Sequence, residues 1–455
     1  MNEKNRTQKM LMIVFLATVF FMMFATLTRF CVRNVLIGKM GIDNAFTRIV
    51  LFDAIDLDNS EDESIASDVS IDWSKEYPFS EKDLEIEEEY SKESHAYDHY
   101  TWIISDGKER IERNLKMFIP GYNKIVELSN FIEQSARWNF VNYSEYNGIV
   151  LADDNYFADI KPKQPLEENA KSIENLCNFC KEQDIDFIYA QQPNKFCKYE
   201  DKGMDSSLDF SNYNDDYLLN LLKKGGVDTY DHRVDIHNDN LNHHSIFYGT
   251  DHHWKGETGR WAAKHLLEEI SKRYGYNVDS ELLAEDLFNK KTYKGRLFGS
   301  QGKKVGLKVA HPEDFTLLYP TFETKLHFVV PNKGIDLTGN FEITYDMSHL
   351  KQTDYYHSSE YGAYNYSLAP VHKIENLNNN NGPKILLISD SFANCEVPFI
   401  ALGVKSIDHL DLRYFTGSVK SYIKENKPDI VIVTYSFFYS DFIDWASHTA
   451  PFDFR

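Results

Sequence analysis

Residues 384–400 have the sequence KILLISDSFANCEVPFI, in which an apolar run is followed by three polar residues. Its first half is a continuous apolar run, which is typical of a strand buried on both faces of a parallel sheet. Ser389, Asp390 and Ser391 follow at the carboxyl end of that strand, before a predicted helix. Functional groups of open α/β sheets gather at this edge. Ser391 is therefore placed like a nucleophile, although a serine at such a turn is also a common helix N-cap.

Other segments repeat the pattern of a buried strand followed by an amphipathic stretch. Strands are predicted at 185–191 (IDFIYAQ), 406–412 (SIDHLDL) and 429–435 (DIVIVTY), and helices at 166–183 and 256–274. This alternation predicts an α/β fold with a mostly parallel sheet flanked by helices. Residues 290–380, rich in Tyr, Gly and Asn, interrupt the alternation, so we predict an irregular or β-rich insertion there.

The segment Thr250-Asp251-His252-His253-Trp254 carries a second group of reactive side chains. In an extended segment, residues two apart point to the same side, so Asp251 and His253 are expected to reach one cleft. A histidine base needs such a carboxylate to fix its tautomer and stabilise the imidazolium. His252 should then face away, with Trp254 packing behind the pair.

Metal binding is the alternative for this region. Six histidines fall within 22 residues: His232, His237, His243, His244, His252 and His253. Histidine suits zinc, but the spacings match no familiar zinc motif. Cys177 and Cys180 lie on the apolar stripe of a predicted helix, which favours core packing over redox or zinc chemistry. We therefore predict neither a metal nor another cofactor.

The N-terminal region predicts a membrane anchor. Residues 10–28 contain no charged side chain, and 19 helical residues at about 1.5 Å each nearly span a bilayer core of about 30 Å. Arg29 and Arg33 follow this run where a cleaved signal peptide would need small residues. We assign residues 1–30 to a cytoplasmic tail and a transmembrane helix.

The charge distribution narrows the set of partners. A formal net charge of −21 argues against nucleic acid, because binding a phosphate backbone requires clustered Lys and Arg. Residues 51–100 alone hold 17 Asp or Glu against three Lys. Like charges repel, so residues 31–107 are predicted to form a juxtamembrane segment and an acidic stalk. A helical lead-in at 108–146 and a catalytic domain at 147–455 complete the predicted organisation.

These motifs resemble the DHHW proteins of bacteria, relatives of the AlgX and AlgJ-like alginate O-acetyltransferases in the SGNH hydrolase superfamily. The resemblance rests on TDHHW at 250–254, the block at 384–400, DHLDLRYF at 408–415 and PDIVIVTY at 428–435. Weaker similarities are NGIVLADDN at 147–155 and Pro193-Asn194-Lys195 after a strand. The motifs occur in the expected order along the chain.

The resemblance implies an SGNH-like fold and a Ser-His-Asp site. Ser391 would be the nucleophile, His253 the general base and Asp251 its orienting carboxylate. Ser389 stands where the family has a glycine, which leaves the oxyanion donors less defined. The backbone N–H of Ser391 is one candidate donor, and the side chains of Asn194, Arg413 and Tyr435 are further candidates for oxyanion or substrate binding.

The implied function is an O-acyltransferase or esterase. We expect acyl transfer, most simply O-acetylation of a cell-surface or exported polysaccharide, in a cell-membrane protein whose catalytic domain lies outside the cytoplasm. The family also implies a multipass membrane acyltransferase as a partner. A carbohydrate acetylesterase and a non-catalytic polysaccharide-binding or assembly protein are the alternatives.

Overall fold

A computed structural model describes residues 149–161, 163–199 and 209–436, together with Phe452 and Phe454. All of them belong to one of the two units into which the chain divides, Val126–Arg455. The predicted transmembrane run, acidic stalk and helical lead-in lie outside the described residues. Among the helices that are described, none is both long enough and apolar enough to cross a membrane.

The strands of the described residues run from β1 to β12 in chain order. Their bounds are β1 Ile149–Asp153, β2 Tyr156–Asp159, β3 Asp186–Gln191, β4 Thr229–Asp231, β5 Phe288–Leu297, β6 Glu313–Pro320, β7 Leu326–Val330, β8 Ile335–Gly339, β9 Val371–Asn376, β10 Lys384–Ser389, β11 Ser406–Leu410 and β12 Ile430–Thr434. The four strands predicted from continuous apolar runs correspond to β3, β10, β11 and β12.

The α-helices run from α1 to α8 in the same part of the chain. Their bounds are α1 Glu167–Glu182, α2 Ser211–Lys224, α3 His232–Asn238, α4 His243–Ile246, α5 Gly256–Tyr274, α6 Ser300–Val305, α7 Val397–Gly403 and α8 Val419–Asn426. The two long helices predicted from the sequence coincide with α1 and α5 to within one residue. Cys177 and Cys180 are buried in the hydrophobic face of α1 as free thiols, as expected from their spacing.

Eight strands form one mixed sheet in the order β4-β3-β12-β10-β11-β9-β7-β8. The first five pair in parallel, and the last three pair antiparallel to their neighbours. The sheet is thus less parallel than predicted, because β7, β8 and β9 come from the region assigned to an insertion and extend the same sheet. That region also contributes most of the hairpin β5–β6.

The parallel half of the sheet is covered on both faces. Along β10, Ile385 and Leu387 pack into one hydrophobic core, whereas Leu386 and Ile388 pack into a second core on the opposite face. Burial on both faces explains the continuous apolar run in the sequence. The carboxyl ends of the five parallel strands meet at one edge of the sheet, and Ser391 lies at that edge immediately after β10.

Candidate active site

The turn after β10 fixes Ser391 through its neighbour Asp390. Ser391 begins a short 3-10 helix, Ser391–Cys395, for which Asp390 is the N-cap. The Asp390 carboxylate accepts hydrogen bonds from the backbone N–H of Phe392 at 2.8 Å and of Ser436 at 3.0 Å. Burial raises the pKa of this carboxyl, although Arg413 and these hydrogen bonds favour its charged form. The turn is therefore tied to both β10 and the segment after β12.

Ser391, His253 and Asp251 lie in contact with one another. The Oγ atom of Ser391 is 3.1 Å from Nε2 of His253, and Nδ1 of His253 is 2.5 Å from Oδ1 of Asp251. These distances suit proton transfer from the hydroxyl to the imidazole. Ser391 is 8% exposed and His253 is 7% exposed, so the contact is largely shielded from water.

Asp251 is oriented by both of its carboxylate oxygens. Oδ1 also accepts the backbone N–H of His253 at 3.0 Å, and Oδ2 accepts the backbone N–H of Ser300 at 2.7 Å. Burial opposes ionisation, but His253, His252 and these hydrogen bonds hold the pKa of Asp251 well below its ordinary value. The charged carboxylate that a histidine base requires is therefore favoured here.

His252 does not face away from the pair, which corrects the sequence-based expectation. Its ring lies 3.8 Å from the ring of His253, and its Nδ1 is 3.0 Å from Oγ of Ser300. The alternation argument fails because residues 250–253 form bends rather than an extended strand. Burial lowers the pKa of His252, and the neighbouring His253 lowers it further. Trp254 is fully buried, and its indole packs on the Phe392 ring with centroids 4.7 Å apart.

Lys195 supports the TDHHW segment at 250–254, the histidine segment, by binding its backbone and that of the two residues before it. No sequence pattern indicates this role. Its ammonium group donates to the backbone carbonyls of Tyr248 at 2.7 Å, Gly249 at 2.9 Å and Asp251 at 2.9 Å. It also lies 3.0 Å from Oε1 of Gln301. Burial lowers the pKa of Lys195 to about 7, although Glu313 and Asp251 favour the charged form. Lys195 therefore fixes the loop that carries Asp251.

Glu313 holds the same loop from the other side. Its carboxylate accepts the backbone N–H of Gly249 at 2.9 Å and of Thr250 at 2.7 Å. Glu313 begins β6 and is 63 residues beyond Thr250 in the chain, so no local pattern indicates the contact. The loop is thus anchored at its carbonyls by Lys195 and at its amides by Glu313.

The candidate oxyanion side chains have partners of their own. The Asn194 amide donates to Asn212 and Asp215, each at 3.2 Å, and Arg413 pairs with Asp411 through Nε at 2.9 Å and Nη2 at 2.6 Å. Tyr435 is buried with its ring 5.0 Å from that of Phe452. Their role in oxyanion or substrate binding stays a prediction.

A pocket of about 10 Å³ adjoins the turn at 390–392, which carries the candidate nucleophile Ser391 and is termed the nucleophile turn. Its lining includes Asp159, Asn194, Lys195, His252, Phe392 and Ser436. This volume suits about one water molecule. Asn194 therefore borders a recess next to the residue that follows Ser391.

Ser389, which replaces the usual glycine, is also engaged. Its Oγ lies 2.7 Å from Nε2 of His409 on the neighbouring strand β11. Both side chains are buried, at 0% and 1% exposure. The extra hydroxyl thus forms a hydrogen bond across the sheet instead of occupying the site.

The six histidines of the metal alternative have different surroundings. His232 packs on Trp254, His237 stacks on Tyr199, His243 contacts the carbonyl of Asn194, and His244 contacts Asp153. Potential ligand atoms of Asp251, His252 and His253 do lie within 4.8 Å of one another. A zinc ion there would compete with the hydrogen bond between Asp251 and His253.

Comparisons with known proteins agree with this architecture. Residues 152–310 match the family described as SGNH hydrolase-like domain, acetyltransferase AlgX. The fold is similar to that of Bacillus cereus PatB1, with a TM-score of 0.56 and 23% sequence identity, over 68% of this chain and 99% of that one. It is also similar to a DHHW family protein from Eubacterium siraeum, with a TM-score of 0.50 and 19% identity, over 67% and 95% of the two chains. Curated protein sequences give no significant match.

The family match includes the TDHHW segment, and the structural similarity extends over about two thirds of the chain. The family match also confirms the predicted class of enzyme, an SGNH-type O-acyltransferase or esterase. Residues 152–310 are therefore related to the SGNH hydrolase-like domain of AlgX, and the fold of the described residues resembles that of a DHHW family protein.

Proposed function

We propose that Ser391, His253 and Asp251 are the catalytic triad of an O-acyltransferase. The observation that carries the proposal is the 3.1 Å contact between Ser391 Oγ and His253 Nε2. Asp251 at Nδ1 fixes the tautomer in which Nε2 is free to accept the serine proton. The three side chains thereby meet the requirements for a nucleophile activated by an adjacent base.

In the first step, Ser391 Oγ attacks the carbonyl carbon of an acyl donor while its proton moves to Nε2 of His253. A tetrahedral intermediate forms, and its oxyanion is stabilised by the backbone N–H of Ser391. Asn194, Arg413 and Tyr435 are the side chains proposed to assist in oxyanion or substrate binding. The bond to the leaving group then breaks, and the leaving group takes the proton from His253. Ser391 is left as an acyl ester.

In the second step, His253 removes a proton from the acceptor hydroxyl, which attacks the acyl ester of Ser391. The acyl group passes to the acceptor, and His253 returns the proton to Ser391 Oγ. A sugar hydroxyl as acceptor makes the enzyme a transferase, and water makes it an esterase. We favour transfer because the family match at 152–310 is to an acetyltransferase.

The proposed substrate is a cell-surface or exported polysaccharide, and the proposed acyl group is acetyl. The uncharged run at 10–28 would anchor the protein in the cell membrane, with the catalytic domain outside the cytoplasm. An anchor of this kind would hold the site near a multipass membrane acyltransferase that supplies the acyl group. A protease added to intact cells should then degrade the catalytic domain, and protection until the membrane is opened would reverse this topology.

A non-catalytic polysaccharide-binding or assembly role is the remaining alternative. Such a protein has no need to keep Ser391 and His253 within hydrogen-bonding distance or to orient Asp251 with both oxygens. The observed contacts support the enzymatic proposal over this one.

The full chain should be incubated with 4-nitrophenyl acetate and a panel of oligosaccharides, with acetylated sugar and free acetate both quantified. Transfer predicts acetylated sugar that disappears in Ser391→Ala. Free acetate alone would favour the esterase. Turnover that persists in Ser391→Ala, is lost with a chelator and returns with zinc would instead place the chemistry at a metal bound by the histidines.

A further inference from the structure

Two buried side chains donate to a single backbone carbonyl next to the nucleophile. Nε1 of Trp254 and the hydroxyl of Tyr361 each lie 2.9 Å from the carbonyl oxygen of Phe392. A carbonyl oxygen has two lone pairs, so these donors can occupy both. Phe392 directly follows Ser391, and the position of this carbonyl is therefore linked to that of the nucleophile.

Both donors are also connected to His253, the proposed base. Trp254 directly follows His253 in the chain. The Tyr361 ring lies flat on the His253 imidazole, with centroids 3.8 Å apart and an interplanar angle of 14°. Each donor therefore connects the histidine to the backbone of the nucleophile turn, one through the chain and one through ring stacking.

The three segments that meet here are far apart in the sequence. His253 and Trp254 precede α5, Tyr361 lies in a 3-10 helix, Glu360–Ala363, and Phe392 follows β10. The indole of Trp254 also packs on the Phe392 ring, with centroids 4.7 Å apart. Without such a connection, small movements of any segment would change the distance between Ser391 Oγ and His253 Nε2.

We propose that Trp254 and Tyr361 are positioning residues that clamp His253 to Ser391 through the Phe392 carbonyl. The inference rests on the proposed acyl-enzyme chemistry and assigns a role to the tryptophan of the TDHHW segment. The Tyr361 hydroxyl sets the distance, and its ring fixes the plane of the imidazole. The face of the ring is also negative, which favours the imidazolium that forms when Ser391 loses its proton.

The variants Tyr361→Phe, Tyr361→Leu and Trp254→Phe separate these contributions. Phenylalanine at 361 keeps the stacked ring and loses one hydrogen bond, whereas leucine loses both. Tyr345→Phe is the matched control, because Tyr345 is buried and its hydroxyl also donates to a backbone carbonyl, that of Leu318 at 2.8 Å. It removes an equivalent hydrogen bond away from the histidine.

Hydrolysis of 4-nitrophenyl acetate by the full chain gives kcat and KM, and thermal unfolding reports on the fold. We expect kcat to fall about 10-fold in Tyr361→Phe and about 100-fold in Tyr361→Leu, with KM nearly unchanged, because small misplacements of reacting groups are costly. Tyr345→Phe should lower the melting temperature as much as Tyr361→Phe but leave kcat unchanged.

The double variant Trp254→Phe/Tyr361→Phe gives a second test. Because both residues act on one carbonyl, their effects on kcat should not be additive. A wild-type kcat in both Tyr361→Phe and Tyr361→Leu would overturn the clamp. So would a kcat that falls only in proportion to the loss of melting temperature across the single variants, the control Tyr345→Phe included. Failure of the wild-type chain to form a Ser391 acyl ester would instead overturn the proposed function.

Discussion

The parallel and antiparallel halves of the sheet differ in how they are buried. Every residue of β12 is buried, and β10 is buried apart from its first residue. Along β7, buried and partly buried residues alternate, because one face of the antiparallel half packs on a core and the other does not. The parallel half therefore provides a rigid edge for Ser391, whereas the chain between β8 and β9 contributes Tyr361 from a 3-10 helix.

The two regions of the site are held in place by different kinds of contact. The nucleophile turn is fixed by strands that are packed on both sides. The histidine segment lies between β4 and β5. It depends on hydrogen bonds from Lys195 and Glu313 and on the stacked ring of Tyr361, all from other parts of the chain.

The largest effect is expected at the histidine segment. His253→Ala should lower kcat/KM for 4-nitrophenyl acetate by several orders of magnitude, because loss of a triad member removes the base. His252→Ala should lower kcat/KM about 10-fold, because His252 contacts the His253 ring and Ser300 and so helps to position the base. Circular dichroism should show that both variants fold. An inactive His252→Ala beside an active His253→Ala would show that the base is misassigned.

Substitutions in adjacent strand positions should separate the two halves of the sheet. In β10, Leu386→Ala and Leu387→Ala should each lower the free energy of unfolding by about 2–5 kcal/mol, because the two side chains fill opposite cores. In β7, Phe328→Ala should cost about 3–5 kcal/mol. His327→Ala, on the open face, should cost less than about 0.5 kcal/mol. Urea unfolding measures all four, and equal costs at His327 and Phe328 would contradict burial on one face.

A smaller effect, on the pH dependence of the free energy of unfolding, is expected from Glu396, which precedes the first residue of α7. Burial raises its pKa to about 8, so the folded state binds the proton more tightly than the unfolded state. Its contribution to stability is complete below about pH 4.3 and is lost as the pH rises through about 8. Glu396→Gln cannot lose a proton. Its free energy of unfolding relative to wild type should therefore rise by about 1–3 kcal/mol from pH 5 to pH 8. Parallel pH profiles of the two proteins would exclude a raised pKa.

The same difference in burial explains what the sequence could predict. Strands buried on both faces, such as β10 and β12, have continuous apolar runs that are recognisable without a structure. The strands of the antiparallel half, such as β9 with its sequence VHKIEN, alternate between buried and partly exposed positions, a pattern that does not distinguish them from an insertion. The pairing of β9 with β11 and of β7 with β9 depends on contacts over long sequence separations, which single-sequence patterns do not contain.

The candidate site likewise contains residues that short motifs predict and residues that only the fold brings to it. Short motifs predict Ser391, His253 and Asp251, and the structure brings their side chains together. Lys195 directly follows Asn194, a predicted site residue, but a buried lysine is not distinguishable by sequence from an exposed one. Tyr361 is one of 28 tyrosines, and no local pattern distinguishes it from the others; its ring lies on His253 only through the tertiary fold.

Covalent trapping of the acyl-enzyme tests the central claim most directly. The full chain should be mixed rapidly with 4-nitrophenyl acetate, quenched in acid and analysed by intact-protein mass spectrometry followed by peptide mapping. The proposed mechanism predicts one acetyl group per chain on Ser391, no label in Ser391→Ala and greatly slowed labelling in His253→Ala. Turnover without a Ser391 adduct, or equal labelling of wild type and Ser391→Ala, would contradict it.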